Sequence, residues 1–294
     1  MRTEGTGVRG QGPARLAFLA AMMIVVPQTF AQQPPLSPPP QILLIAREFI
    51  KPGKRAEVVK IERDSVEEQV RLKSPHSYLT LSSMSGRENL WWLNPADSYG
   101  DFEKELAKVA ATPGLLEQWT RNPALKADLI TDPRQFYARY REDLSFGRGL
   151  TGARTRYFLI TTVAVRPGHG ADFAELRKAI RGAHERARAT DIVSVYEVES
   201  GLRDGTFLVF APAANLDEVG AISQFESHGV ESALSESART RFRTLSDSAI
   251  LESETILFQV NPEISMPAKA WIEGDTEFWS TNPVSNAAGE GTLK

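Results

Sequence analysis

The 294-residue chain contains no cysteine and only four histidines. The first absence excludes disulfides and thiol nucleophiles, and the two together leave too few soft ligands for a protein-built zinc site, so no metal is expected. No apolar run reaches the ~20 residues that a membrane-spanning helix needs. Positive charge is not in excess either: 34 basic residues stand against 37 acidic ones, a net charge of −3, which argues against nucleic acid as a partner. G-x-S-x-G, the P-loop and paired Cys/His arrangements are all missing. Two motifs start and do not finish. Gly147, Gly149 and Gly152 spell G-x-G-x-x-G, but a strand follows them where the fingerprint requires a helix, so they read as a linker. His184-Glu185 opens an H-E-x-x-H pattern, yet Arg188 occupies the second ligand position.

What is present begins with a processing signal. Arg2, Arg9 and Arg15 precede an apolar run over 17–26 (AFLAAMMIVV), ended by Pro27, and Thr29-Phe30-Ala31 places small residues at −3 and −1. Residues 1–31 are therefore expected to be a signal peptide cleaved before Gln32, and the protein to be exported, periplasmic or secreted, with no stable membrane insertion after cleavage. Without cysteine the lipoprotein route is closed. Residues 32–40 (QQPPLSPPP) form a proline-rich linker. The remaining 263 residues suit two domains of about 110 residues.

Past the linker the sequence repeats itself. Lys51-Pro52-Gly53 returns as Arg166-Pro167-Gly168 at an offset of 115, and Ser85-Gly86 returns as Ser200-Gly201 at the same offset. Trp91-Trp92-Leu93-Asn94-Pro95-Ala96 then falls on Leu208-Val209-Phe210-Ala211-Pro212-Ala213, and Glu142-Asp143-Leu144-Ser145 resembles Pro262-Glu263-Ile264-Ser265. The second copy reads clearly. A strand over 157–165 precedes a helix carried by Phe173, Leu176, Ile180, Ala183 and Ala187. Strands over 192–198 and 207–210 flank a turn over 200–205. A helix carried by Val230, Leu234, Ala238 and Phe242 and a strand over 255–260 complete it. The first copy follows suit, with Tyr99, Phe102, Leu106 and Val109 on its second helix.

The order is βαββαβ, twice, giving an α+β protein of two tandem ferredoxin-like repeats. The boundaries expected are 41–148 for the first repeat, 149–155 for the inter-repeat linker, 156–266 for the second repeat and 267–294 for a C-terminal tail. The aromatics of that tail, Trp271, Phe278 and Trp279, should dock on the barrel surface. A sheet with helices on one face leaves its other face uncovered, and the neighbouring repeat can cover it.

The Pro-Gly turn after the first strand, the Ser-Gly turn after the second and the βαββαβ order resemble the dimeric α/β-barrel superfamily, with its NIPSNAP-like and antibiotic-biosynthesis-monooxygenase-like members. The resemblance covers about residues 41–266 and implies one barrel closed within one chain. It also implies a cleft between helices and sheet in each half. Members carry diverse activities, so fold alone selects none.

Four residues are candidates for a ligand site: His184, Tyr78, Trp92 and Tyr140. His184 lies at the edge of its helix stripe, within reach of the helix–sheet cleft, and the offset places Gln69 at the same position in the first repeat. Chlorite-dismutase-like relatives use a helix histidine in such a cleft as an axial haem ligand, which the resemblance carries over as an alternative for His184. The plainer account is a histidine bonded to a neighbouring carbonyl or to Glu185, with no cofactor. Tyr78, Trp92 and Tyr140 belong to an aromatic group with Trp91, Trp119, Phe136 and Tyr137 that reads as core or as the wall of an apolar pocket. Arg139, Arg141, Arg154 and Arg156 read as a solvated face. The function expected is binding of a small apolar molecule or service as an interaction module without catalysis, with a homodimer as a further partner. The alternative is a cofactor-independent monooxygenase-like enzyme or a haem protein.

Overall fold

The computed structural model describes residues 38–147, 149, 153–189 and 192–285. The expected signal peptide and the last nine residues lie outside the described residues. Each repeat delivers four strands. The first contains β1 (Ile42–Ile50), α1 (Arg55–Arg71), β2 (Leu79–Ser83), β3 (Asn89–Ala96), α2 (Tyr99–Ala111), α3 (Leu115–Lys126) and β4 (Ile130–Tyr140). The second contains β5 (Tyr157–Val165), α4 (Gly170–Ala187), β6 (Ser194–Ser200), β7 (Thr206–Ala213), α5 (Leu216–Gln224), α6 (Val230–Ser232), α7 (Glu236–Ala249) and β8 (Ile250–Val260). A short α8 (Lys269–Gly274) follows in the tail.

The eight strands close into one antiparallel barrel in the order β1-β3-β2-β8-β5-β7-β6-β4. The two repeats do not separate, and all eight strands belong to one unit. Side chains alternate along every strand, so one set points inward. Leu43 and Ile45 of β1, Trp91 and Leu93 of β3, Phe158 and Ile160 of β5, and Phe210 of β7 share the barrel interior. Trp92 points the other way, under α1.

The turns explain the spacing of the repeat. Gly53 and Gly168 hold φ of +76° and +84° directly after proline, the pairing of a fixed φ with a left-handed residue that a tight turn requires. At Gly201 (φ +91°) a Cβ would collide with the Gln135 carbonyl and with Phe136. Ser98 and Asn215 cap α2 and α5 by accepting the N–H of Asp101 and Glu218 at 3.2 and 2.9 Å.

The two junctions between the repeats are built alike. After β4, Phe146 bridges Val193, and after β8, Met266 bridges Tyr78. Ser145 follows a 3₁₀ turn at Glu142–Leu144, and Ser265 follows one at Pro262–Ile264. Each buried hydroxyl donates to a backbone carbonyl behind it and accepts an N–H from the opposite repeat. Ser145 accepts from Val195 at 2.9 Å and Ser265 from Thr80 at 2.9 Å. The fourth sequence match is therefore the pair of staples that joins each repeat to the other.

Four expectations need correction. The second helix of each repeat is broken: a separate α3 follows Thr112-Pro113-Gly114, and a π-helical turn at Phe225–Gly229 follows α5. Tyr99 and Leu106 are consequently exposed while Phe102 and Val109 are buried. Ala187 at the end of α4 is exposed too. The tail does more than dock on a surface, because Trp279 is fully buried among the barrel-interior residues. Arg156 is not a solvated cation: it pairs with Asp275 and its guanidinium lies 3.7 Å over Phe278, fixing the tail. Asn282 then donates to the carbonyls of Pro262 and Ser265.

Candidate functional site

The outer face of each half-sheet carries a helix, and the helix–sheet interface differs between the repeats. In the first, α1 buries Val58, Glu62, Ser65, Val66 and Gln69. In the second, α4 buries Phe173, Leu176, Arg177, Ile180, Ala183 and His184. The offset of 115 superposes Glu62 on Arg177 and Gln69 on His184. Both repeats thus bury a charge at the same helix position, with opposite sign.

The first repeat neutralises its charge internally. Lys126 at the end of α3 reaches Glu62 at 2.5 Å and Glu48 of β1 at 2.7 Å, and its ammonium sits 4.8 Å over the Trp92 ring. Burial pushes the Glu62 carboxyl above its usual range against the pull of Lys126. Burial alone would depress Lys126, but Glu62 and Glu48 outweigh it and hold the amine above its ordinary value. Beside this triad, Gln69 donates to Ser65 and to the Tyr78 hydroxyl, both at 3.3 Å.

The second repeat leaves its charge open. Arg177 is 5% exposed, and its Nε and Nη2 have no hydrogen-bond partner among the described residues. Burial lowers its pKa, opposed only by the field of Glu226, which forms no ion pair with it among the described residues. The ring of Phe146 lies 5.8 Å away, a weak cation–π contact. Arg177 lines a cavity of about 490 Å³ between α4, α5, the π-helical turn and the outer face of β5, β7 and β8. Most of the wall is apolar, Val163, Ile180, Val209 and Ile222 among it, and Glu226 and Ser227 of the π-helical turn add polar groups. π-Helical turns of this kind recur at functional sites because they re-aim side chains out of helical register.

His184 stands behind this wall. It is 3% exposed, with Phe146 and Phe225 at ring-centroid distances of 4.2 and 4.4 Å. Its Nε2 meets Glu226, 3.3 Å away, while Glu185 faces Arg181. This setting does not fit an axial haem ligand. An iron needs clear space in the plane of the imidazole ring, and here Nε2 is engaged while aromatic rings crowd the residue. Among the described residues no group of three acidic, histidine or cysteine side chains is placed to hold a metal ion.

The other candidates lie elsewhere. Trp92 packs beneath α1 with Tyr78, and Tyr78 also borders a second cavity of about 290 Å³ with Pro38, Met266 and Trp271. Tyr140 stacks at 5.5 Å on Tyr196, against the barrel interior. The aromatic group divides between the inside of the barrel (Trp91, Phe136) and its outer face. Arg177, the residue nearest to chemistry, has no place in the sequence reading. Its signal was the offset itself, which puts two charged residues on an otherwise apolar helix face.

No protein-family model matches the chain, and no curated protein matches it. Solved structures do. An anthrone oxidase-like protein is similar over 75% of this chain and 92% of its own, at 15% identity and a TM-score of 0.51. A candidate monooxygenase of Fusobacterium nucleatum is similar over 76% and 93%, at 11% identity and a TM-score of 0.49. A chlorite dismutase of Candidatus Nitrospira defluvii is similar over 80% and 95%, at 13% identity and a TM-score of 0.44. At 15% identity the likeness to the anthrone oxidase-like protein concerns architecture alone, and it agrees with the strand order and the closure described above: the chain carries the dimeric α/β-barrel fold, with both ferredoxin-like halves of the barrel supplied by one polypeptide.

Proposed function

We propose that the protein binds a small, largely apolar molecule in the helix–sheet cleft of its second repeat. The observation that carries this reading is the cavity of about 490 Å³, its wall mainly apolar, with polar groups on the helices (Arg177, Glu226, Ser227) and on the strands (Thr161, Ser253, Thr255). Volumes of about 300–1,000 Å³ with this mixture are typical of ligand sites. Titration with the neutral fluorophore N-phenyl-1-naphthylamine tests it: the wild type should bind the dye, and Val209→Phe, which fills the cavity, should weaken binding. Equal binding by both proteins would sink the reading.

Catalysis in the same cleft is the second reading, and Glu226 favours it. A carboxylate at the cavity wall, steadied by His184, is placed to take a proton from a bound molecule, as cofactor-free oxygenation of an acidic C–H or O–H would require. Ligand-dependent oxygen uptake that disappears in Glu226→Gln would support it. Export through residues 1–31 is part of the same proposal, and N-terminal sequencing of secreted protein should begin at Gln32.

A further inference from the structure

We infer that the ligand of the second-repeat cleft is an organic acid: an apolar body with one anionic group, a carboxylate or sulfonate, that docks on Arg177. This deepens the binding reading above and rests on it. The argument starts from electrostatics. A buried charge is costly unless it is paired and hydrogen-bonded. The first repeat meets that requirement at the equivalent helix position with the Glu48–Lys126–Glu62 triad. In the second repeat the strand position equivalent to Glu48 is Val163, which is apolar and lines the cavity. Arg177 therefore has no carboxylate on the sheet, and its Nε and Nη2 are left without partners.

Nε and Nη2, on one edge of the guanidinium, are shut off from solvent in the unliganded protein, and an anionic group that enters beside Arg177 and reaches that edge meets two N–H groups matched to the oxygens of a carboxylate or sulfonate. Glu226, held by His184 at 3.3 Å, is too far from Arg177 to form an ion pair. Its negative charge also disfavours a second anion anywhere but on Arg177. Leu159, Val163, Ile180, Val209 and Ile222 offer an apolar bed for the body of such a molecule, with the hydroxyls of Thr161, Ser227 and Thr255 beside it. Burial makes the arrangement selective, because a neutral analogue of the same shape would leave the guanidinium unpaired.

The experiment compares two dyes with the same anilinonaphthalene body, neutral N-phenyl-1-naphthylamine and anionic 8-anilinonaphthalene-1-sulfonate, on the full mature chain. The wild type should prefer the sulfonate by roughly tenfold or more, the usual value of a hydrogen bond to a charged group. Arg177→Met should erase that preference, read as the ratio of the two dyes' affinities in the same protein. Arg177→Lys, which keeps the charge without the fork, should retain part of it and serves as the readout if Arg177→Met does not fold. Val209→Phe should weaken both dyes. Equal affinity of the wild type for the two dyes, or an unchanged preference in Arg177→Met, overturns the organic-acid inference and leaves the cavity reading intact. Failure of both dyes to bind, or their indifference to Val209→Phe, overturns the cavity reading itself.

Discussion

Two helices that descend from one repeated pattern bury a charge at the same position, and the two repeats deal with it differently. Around Glu62 the first repeat assembles Lys126 and Glu48, so that every charge has its counterpart inside the protein. Around Arg177 the second repeat supplies Val163, Ile180 and a cavity. The triad makes the first helix–sheet interface a closed structural element, while the second keeps an unpaired guanidinium beside a cavity. Both repeats lay helices over the outer face of their half-sheet, and the two interfaces differ in side chains and in backbone, since α3 brings Lys126 to the first and a π-helical turn brings Glu226 to the second.

The comparison can be broken most forcefully at the triad. Lys126→Met leaves Glu62 and Glu48 buried without their cation and should cost about 3–5 kcal/mol, read as a lower urea midpoint at unchanged m-value. The mirror experiment should go the other way. Arg177→Met removes an unpaired buried cation and should stabilise the unliganded protein by about 1–3 kcal/mol, or raise Tm by about 2–4 °C for each kcal/mol. A loss of stability in Arg177→Met would show that the guanidinium has a structural partner, and the contrast between the repeats would collapse.

Val163→Glu imports the solution of the first repeat into the second. The new carboxylate should pair with Arg177, and binding of 8-anilinonaphthalene-1-sulfonate should fall by about tenfold or more, the scale expected for a lost charge-assisted hydrogen bond. The junction serines sharpen the comparison from the side where the repeats agree. Ser145→Ala and Ser265→Ala each strand one buried N–H, of Val195 and Thr80 respectively. Each should cost about 1–3 kcal/mol, by similar amounts.

The smallest effect is one of pH. Because Lys126 is held above its ordinary value of 10.5, its contribution is complete below that pH and is lost as pH rises through the elevated value. Glu48→Gln removes one of the two carboxylates that raise it, so the alkaline loss of stability should begin at lower pH in that variant. Urea midpoints measured across the alkaline range would reveal the shift, and coincident curves would remove Glu48 from the account.

Much of the fold was legible because turns and repeats are local. Lys51-Pro52-Gly53 and Arg166-Pro167-Gly168 announce the strand-to-helix turn in both halves, since only a few residues tolerate that backbone. Glu142-Asp143-Leu144-Ser145 and its partner could be matched in sequence, but their role as staples could not be read, because Val195 and Thr80 lie in the opposite repeat. The breaks in the second helices are not legible in the same way. In α5 only Val219 and Ile222 are buried, too few to make a stripe, and a π-helical turn leaves no simple mark on hydrophobic spacing. At the candidate site, His184 stands out as a histidine at the edge of an apolar helix stripe, whereas nothing in local spacing distinguishes Arg177 from the solvated arginines around it.

The sequence by itself determined the duplication, the strand and helix order and the pairing of Gln69 with His184 and of Glu62 with Arg177, because these follow from local spacing and one constant offset. Only the tertiary structure decided which of those positions became chemistry. Whether a buried charge is neutralised depends on residues far away in the chain, Glu48 and Lys126 in one repeat and Val163 in the other. Their distance from Glu62 or Arg177 is fixed by the closing of the sheet and the placing of helices on it, not by any local pattern.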